Sequence, residues 1–172
     1  LQQKVIKHIL NSAGIERFAE HQFDMVRLGI GLYGVSASGK KGLRNVSTLR
    51  TTILQIQNVP AGDSIGYGRM SYVSRDSRIA IIPIGYADGL NRHFSNGGGE
   101  VVVNGSRCPI IGNICMDACM IDITDVEAKE GDSVIIFGEE LPVSELSGKL
   151  KTISYEILTS VSPRVKRVYY RE

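Results

Sequence analysis

Thr48-Leu49-Arg50-Thr51-Thr52-Ile53-Leu54-Gln55-Ile56-Gln57-Asn58-Val59 decides the fold. The stretch is rich in β-branched residues, and its side chains alternate. Thr51, Ile53, Gln55 and Gln57 fall on one side, and Thr52, Leu54, Ile56 and Asn58 on the other. That is the period of a β-strand. Pro60-Ala61-Gly62-Asp63 then turns the chain. Further strand-like runs follow at 78–84, 100–103, 107–111, 118–123 and 133–137. Asn104-Gly105 between two of them is a strong two-residue hairpin signal. Residues 143–150 and 152–159 read as short helices broken at Gly148, and 164–170 as a last strand. Many short strands joined by Gly and Pro turns predict a mainly β fold, a small barrel or a sandwich.

The style of the sequence changes near residue 45. Before it the order is strand, helix, strand: a short apolar stretch at 7–10, two helical turns over 13–20, and a near-continuous apolar run at 25–32. Runs of that kind suit strands covered on both faces, as in parallel α/β structures. Residues 36–41 are polar and contain Gly, as a linker would. We therefore divide the chain into residues 1–45 and 46–172.

Composition narrows the function. The chain has 172 residues, 42% of them hydrophobic and 22% charged, as in an ordinary globular protein. Its net charge of +2 lacks the clustered basic excess that a nucleic-acid surface needs. The longest uncharged apolar run, 79–86, is too short to cross a bilayer as a helix. The three cysteines, Cys108, Cys115 and Cys119, form no disulfide framework, and they lack the spacing and His partners of a zinc site. Reduced thiols and a cytoplasmic location are the expectation. The sequence opens at Leu1 directly into a periodic segment, and we read it as part of a longer chain.

Six groups of residues could carry chemistry. Asn11-Ser12-Ala13-Gly14 closes an apolar stretch, where open backbone N–H groups and a hydroxyl suit an anion. Arg27-Leu28-Gly29-Ile30-Gly31 places glycines for close backbone approach, and the two segments together resemble a phosphate site at the end of a (β/α)8 barrel. Arg27 is a charge in an apolar run and needs a partner; His8 on the preceding segment could face it. Tyr67 stands between Gly66 and Gly68, with Arg69 nearby, and a phenol beside a cation can exchange a proton near neutral pH. Gly85-Tyr86-Ala87-Asp88-Gly89, Gly112-Asn113-Ile114-Cys115-Met116-Asp117 and Ser154-Tyr155-Glu156 complete the set. An ordinary turn or helix start also explains each group taken alone.

In order and approximate spacing these groups resemble the alanine racemase family, pyridoxal-phosphate (PLP) enzymes. His8-x-x-Asn11-Ser12-Ala13, Arg27-x-Gly29-Ile30-x-x-Tyr33-Gly34, Gly66-Tyr67-Gly68, Ile84-Gly85-Tyr86-Ala87-Asp88-Gly89, Cys115-Met116-Asp117 and Ser154-Tyr155-Glu156 all match. The resemblance implies a C-terminal β-barrel domain preceded by an incomplete stretch of the PLP-binding (β/α)8 barrel. It implies that Ser12, Gly29, Ile30 and Tyr155 hold the cofactor phosphate, that Arg27 faces the pyridine nitrogen, and that His8 links Arg27 to the catalytic tyrosine. Tyr67 resembles that tyrosine, which serves the L-enantiomer while a lysine serves the other face. Met116 resembles the residue at the substrate carboxylate. Tyr86 resembles the one narrowing the entrance, and Arg92 lies in the loop that contributes a charge there.

The resemblance further implies a homodimer with a shared site, alanine as substrate, and D-alanine made for peptidoglycan precursors. The PLP-binding lysine belongs to the missing first barrel strand, so the chain alone is expected to be inactive. Asn113 stands where many relatives carry Arg, and Gly14 replaces a commoner Ala. Two other readings stay open: a broader-specificity PLP amino-acid racemase of the same fold, and a non-catalytic β-barrel dimerisation module. Without the rest of the barrel, residues 1–45 are expected to be disordered, helical or swapped against another copy.

Overall fold

A computed structural model describes residues 5–39, 42–69 and 71–170. It separates into two compact units, Leu1–Ser47 and Thr48–Glu172.

The second unit is mainly β. Its strands are β1 (Leu49–Thr52), β2 (Gln55–Val59), β3 (Ser64–Ile65), β4 (Ser71–Tyr72), β5 (Ser77–Ile82), β6 (Glu100–Val103), β7 (Ser106–Ile111), β8 (Cys119–Asp122) and β9 (Ser133–Phe137). Seven of them form one sheet in the order β1-β9-β6-β7-β8-β5-β2, every neighbouring pair antiparallel. Only Ile53 and Leu54 separate β1 from β2, yet these strands stand at opposite ends of that order. Two residues reach at most ~7 Å. Six flat inter-strand steps would put the edges ~29 Å apart. The sheet therefore curls until its edge strands meet at this corner. The corner is fixed on both sides: Ile53 N donates to Asp132 O (2.9 Å) and Leu54 N to Ile81 O (2.8 Å). The stretch read as one strand is thus two, because curling the sheet requires a break.

The alternation read from the sequence sets what lies inside. In β8, Cys119 and Ile121 are buried while Met120 and Asp122 are half-buried. Val101, Cys108, Ile110, Val134 and Ile136 complete the interior from neighbouring strands. Asn104 and Gly105 both have positive φ (48° and 78°), as the tight hairpin between β6 and β7 requires. Two helices, α2 (Val143–Lys149) and α3 (Ser154–Ser160), pack against each other, and Val143, Leu146 and Ile157 are their buried apolar residues. Residues 164–170 form no strand. Arg167 explains part of this: its guanidinium donates to the carbonyls of Val161 (2.8 Å), Ser162 (2.5 Å) and Val165 (2.6 Å), folding the segment onto itself.

The first unit contains α1 (Ser12–Arg17) and two short 3-10 turns, Ala19–His21 and Ile30–Tyr33. In addition, segments 7–10 and 24–27 lie side by side in parallel: Asp24 N donates to Lys7 O (3.1 Å), Arg27 N to Leu10 O (2.9 Å), and His8 bridges to Met25. The apolar run at 25–32 is not one buried strand. It breaks at Gly29, and Met25, Leu28 and Leu32 are exposed.

Glu16 on α1 fixes the loop that leaves this unit. Its carboxylate accepts from the hydroxyls of Ser38 and Ser36 and from the amides of Ala37 (3.1 Å) and Ser38 (3.2 Å). These bonds, led by the Ser38 hydroxyl, lower its pKa from 4.5 to about 2. A depressed carboxylate pKa stabilises the loop above the unfolded value and loses that stabilisation as pH falls through the folded one. The Ala37 and Ser38 amide resonances are therefore expected to hold their positions down to pH 4.5 and to move between 4.5 and about 2. In Glu16→Gln they should show no such titration. A loop that releases above pH 5 would contradict this.

Candidate active site

Ser12 and Gly29 come together across the two parallel segments. Asn11 caps α1, its Oδ1 accepting from Gly14 N (3.0 Å), and this cap positions Ser12 at the first helical residue. Ser12 is 3% exposed, and its Oγ accepts from Gly29 N (2.9 Å) and Gly31 N (3.4 Å). Ile30, between those glycines, is buried. Ser12 Oγ thus ties the two segments together, and a hydroxyl that accepts N–H bonds still has its own O–H to donate to an oxyanion. Arg27 is exposed, and its Nη2 donates to Ile9 O (3.1 Å). Among the described residues, the carbonyl of Ile9 is a partner of the guanidinium. His8 is exposed on the adjacent segment, paired through its backbone with Met25.

In the second unit Tyr67 caps the β3–β4 hairpin, 79% exposed, between Gly66 (φ 74°) and Gly68 (φ 75°). A Cβ on Gly66 would lie 3.0 Å from Met120 Cε, so the hairpin rests closely on β8. Polar bonds fix its far strand. Ser71 Oγ donates to Asn96 Oδ1 (2.5 Å), and Asn96 Nδ2 donates to Asn113 Oδ1 (3.2 Å). Asn113 thus joins a network between the Tyr67 hairpin and the 112–117 loop.

That loop is paired with the one carrying Tyr86. Tyr86 N donates to Cys115 O (3.0 Å) and Ala87 N to Met116 O (3.0 Å). Gly85 makes the approach possible: a Cβ there would lie 2.3 Å from Cys115 O. Tyr86 and Met116, 44% and 53% exposed, are therefore carried on adjacent turns. Arg164, read from the sequence only as a strand residue, joins them. Its Nε donates to Asp88 Oδ1 (2.7 Å) and its Nη2 to Asp117 Oδ1 (2.6 Å), which raises the pKa of its guanidinium, the Asp88 bond foremost. The one sequence signal for Arg164 is that Asp88 and Asp117 interrupt two loops that are otherwise mostly uncharged. Tyr155 lies in the first turn of α3, half its surface covered, and Arg92 is exposed on a short 3-10 turn.

The thiols near this region differ in reactivity. Burial pushes Cys108 up to about 11 and Cys119 up to about 12. Cys115 is half-buried. Iodoacetamide at pH 8 is expected to label Cys115 first and to leave the other two intact, read by peptide mass mapping. Equal labelling of all three in the folded chain would contradict this. Among the described residues, no group of His, Cys, Asp and Glu could hold a metal ion, and no helix is long and apolar enough to cross a membrane.

The likeness to known proteins runs through both units. Residues 46–169 match the model of the alanine racemase C-terminal domain, and residues 1–37 match that of the N-terminal domain. Alanine racemase 2 of Caldanaerobacter subterraneus subsp. tengcongensis is 45% identical over 95% of this chain and 44% of its own length. The alanine racemase of Clostridium tetani is 41% identical over 97% of this chain and 46% of its own. Among solved structures, alanine racemase of Clostridium difficile 630 superposes with a TM-score of 0.89 at 40% identity, over 96% of this chain and 45% of that one. The Bartonella henselae alanine racemase, solved with covalently bound pyridoxal phosphate, gives 0.88 at 41% identity, over 94% of this chain and 46% of that one. The chain spans less than half the length of these relatives. With most of its residues under the C-terminal family model, and with relatives 41–45% identical across nearly its whole length, this chain belongs to the alanine racemase family.

Proposed function

We propose that this chain serves as the C-terminal portion of a PLP-dependent alanine racemase, cytoplasmic and homodimeric, that interconverts L- and D-alanine for peptidoglycan precursors. The observation that carries the reading is the likeness to the two alanine racemase domain models over residues 46–169 and 1–37, with Ser12 Oγ and Gly29 N, two of the residues that resemble the phosphate site, brought within 2.9 Å of each other. Bound PLP would draw electrons from the substrate α-carbon and make its proton removable. Ser12, Gly29 and Ile30 hold the phosphate in this reading, with Tyr155 as a further contact. Arg27 faces the pyridine nitrogen. A guanidinium only donates, so it favours an unprotonated ring and a weaker electron sink, and fast reprotonation is then preferred over side reactions. His8 links Arg27 to the catalytic tyrosine in this reading.

The exposed Tyr67 hydroxyl takes or returns the α-proton on the L face, in the site of a partner copy. Met116 meets the substrate carboxylate, and Tyr86 narrows the entrance. The base for the opposite face is a lysine outside this chain. The complete polypeptide, loaded with PLP, is expected to racemise L-alanine, while the 172-residue chain with PLP is expected to be inactive. A complete, PLP-loaded polypeptide that leaves alanine unchanged would overturn the reading.

A further inference from the structure

We propose that Arg164 is a positioning residue that sets the spacing of Tyr86 and Met116 by clamping the two loops that carry them; this rests on the reading of those residues as substrate contacts.

The atoms form one chain. Gly85 N donates to Asp88 Oδ2 (2.8 Å), Arg164 Nε donates to Asp88 Oδ1 (2.7 Å), and Arg164 Nη2 donates to Asp117 Oδ1 (2.6 Å). Tyr86 lies between Gly85 and Asp88, and Met116 immediately precedes Asp117. Each substrate-side residue is therefore held within one or two residues of the clamp. The clamp has a rigid base. Ser162 N donates to Asp88 O (3.1 Å), Ser160 Oγ to Gly89 O (3.3 Å), and the Arg167 guanidinium ties residues 161, 162 and 165 together beneath Arg164.

The electrostatics favour local order over global stability. Exposed ion pairs contribute little to folding. The Arg164 and Asp117 side chains are 45% and 64% exposed, but that of Asp88 is only 13% exposed. Without Arg164, Asp88 keeps one bond, to its own loop, and Asp117 has no cation within ion-pair distance among the described residues. Two carboxylates on facing turns then repel each other, and the turns are joined only by the two backbone bonds from Tyr86 and Ala87. A lysine could not reproduce the device, since it presents one point charge where the planar fork serves two acceptors.

The test uses the complete enzyme carrying Arg164→Met or Arg164→Lys, with KM and kcat for L-alanine measured separately and amide hydrogen exchange followed at Tyr86 and Ala87. Arg164→Met is expected to raise KM about tenfold, a factor worth about 1.4 kcal/mol. It should leave kcat within about twofold, because the proton-transferring hydroxyl is on another hairpin. Exchange at the Tyr86 and Ala87 amides should quicken about tenfold, and Arg164→Lys should recover part of both effects. Unchanged exchange in a folded Arg164→Met would overturn the clamp. Faster exchange with an unchanged KM would overturn its role in substrate binding. If the unmodified complete enzyme does not racemise alanine, the proposed function fails, and with it the substrate role; faster exchange in Arg164→Met would still establish the clamp.

Discussion

Replacing Tyr67 by phenylalanine in the complete enzyme is expected to lower kcat from L-alanine by about 10²–10⁴-fold, the span of a positioned acid or base. The change deletes one oxygen from a side chain that is 79% exposed. Its effect on the melting temperature should be small, within about 0.5 kcal/mol of stability. Turnover from D-alanine should fall as well, because in the proposed function the phenol returns the proton that completes the product. Exchange of the α-hydrogen with deuterated solvent separates the two faces. The variant should still exchange D-alanine, whose face is served by the lysine, and should lose exchange of L-alanine. Undiminished turnover from both enantiomers would remove Tyr67 from the proton path.

Gly85→Ala is expected to be strongly damaging for a single methyl. The added Cβ would lie 2.3 Å from Cys115 O, 2.4 Å from Met116 O and 2.5 Å from Met116 C, all backbone atoms that cannot swing aside. The 115–117 turn must move, at a cost of about 1–3 kcal/mol, as for other forced overpacking. A loss of that size lowers the melting point of a domain of this class by several degrees. Met116 moves with the turn, so KM for alanine should also rise. Gly148→Ala is the control. It lies in α2, where an added Cβ meets nothing within 4 Å, and it should be neutral or stabilising by about 0.5–1 kcal/mol. Equal melting points for the two variants would show that the close approach at Gly85 is relieved at no cost.

The β-rich portion was readable because each strand carries its own signal. Alternation in residues 118–123 and the Asn104-Gly105 pair depend on neighbours one or two positions away. The break at Ile53 was not readable, since it comes from the closing of a sheet in which β1 pairs with β9, far along the chain. Nor was the exposure of Met25, Leu28 and Leu32. An apolar run reports a tendency to be covered, and the described residues of this chain leave those side chains open. In the site, the motif residues stood out through glycines and polar groups interrupting apolar runs. Their grouping did not. Nothing within a few residues of Arg164 announces partners at Asp88 and Asp117, because charge pairing across such separations has no period in the sequence. Asn96 escaped for the same reason: its partners, Ser71 and Asn113, lie on segments before and after it.

The order of strands also governs when this unit can be assembled. β1 pairs with β9, matching Leu49 with Phe137 and Thr52 with Ser133. The first strand to leave the ribosome must therefore wait, unpaired, until one of the last has been synthesised. Hairpins such as β6–β7 can form early, but ring closure is a non-local event, and topologies dominated by such events fold on the order of milliseconds to seconds. During that wait the nascent β1 edge is open to other chains.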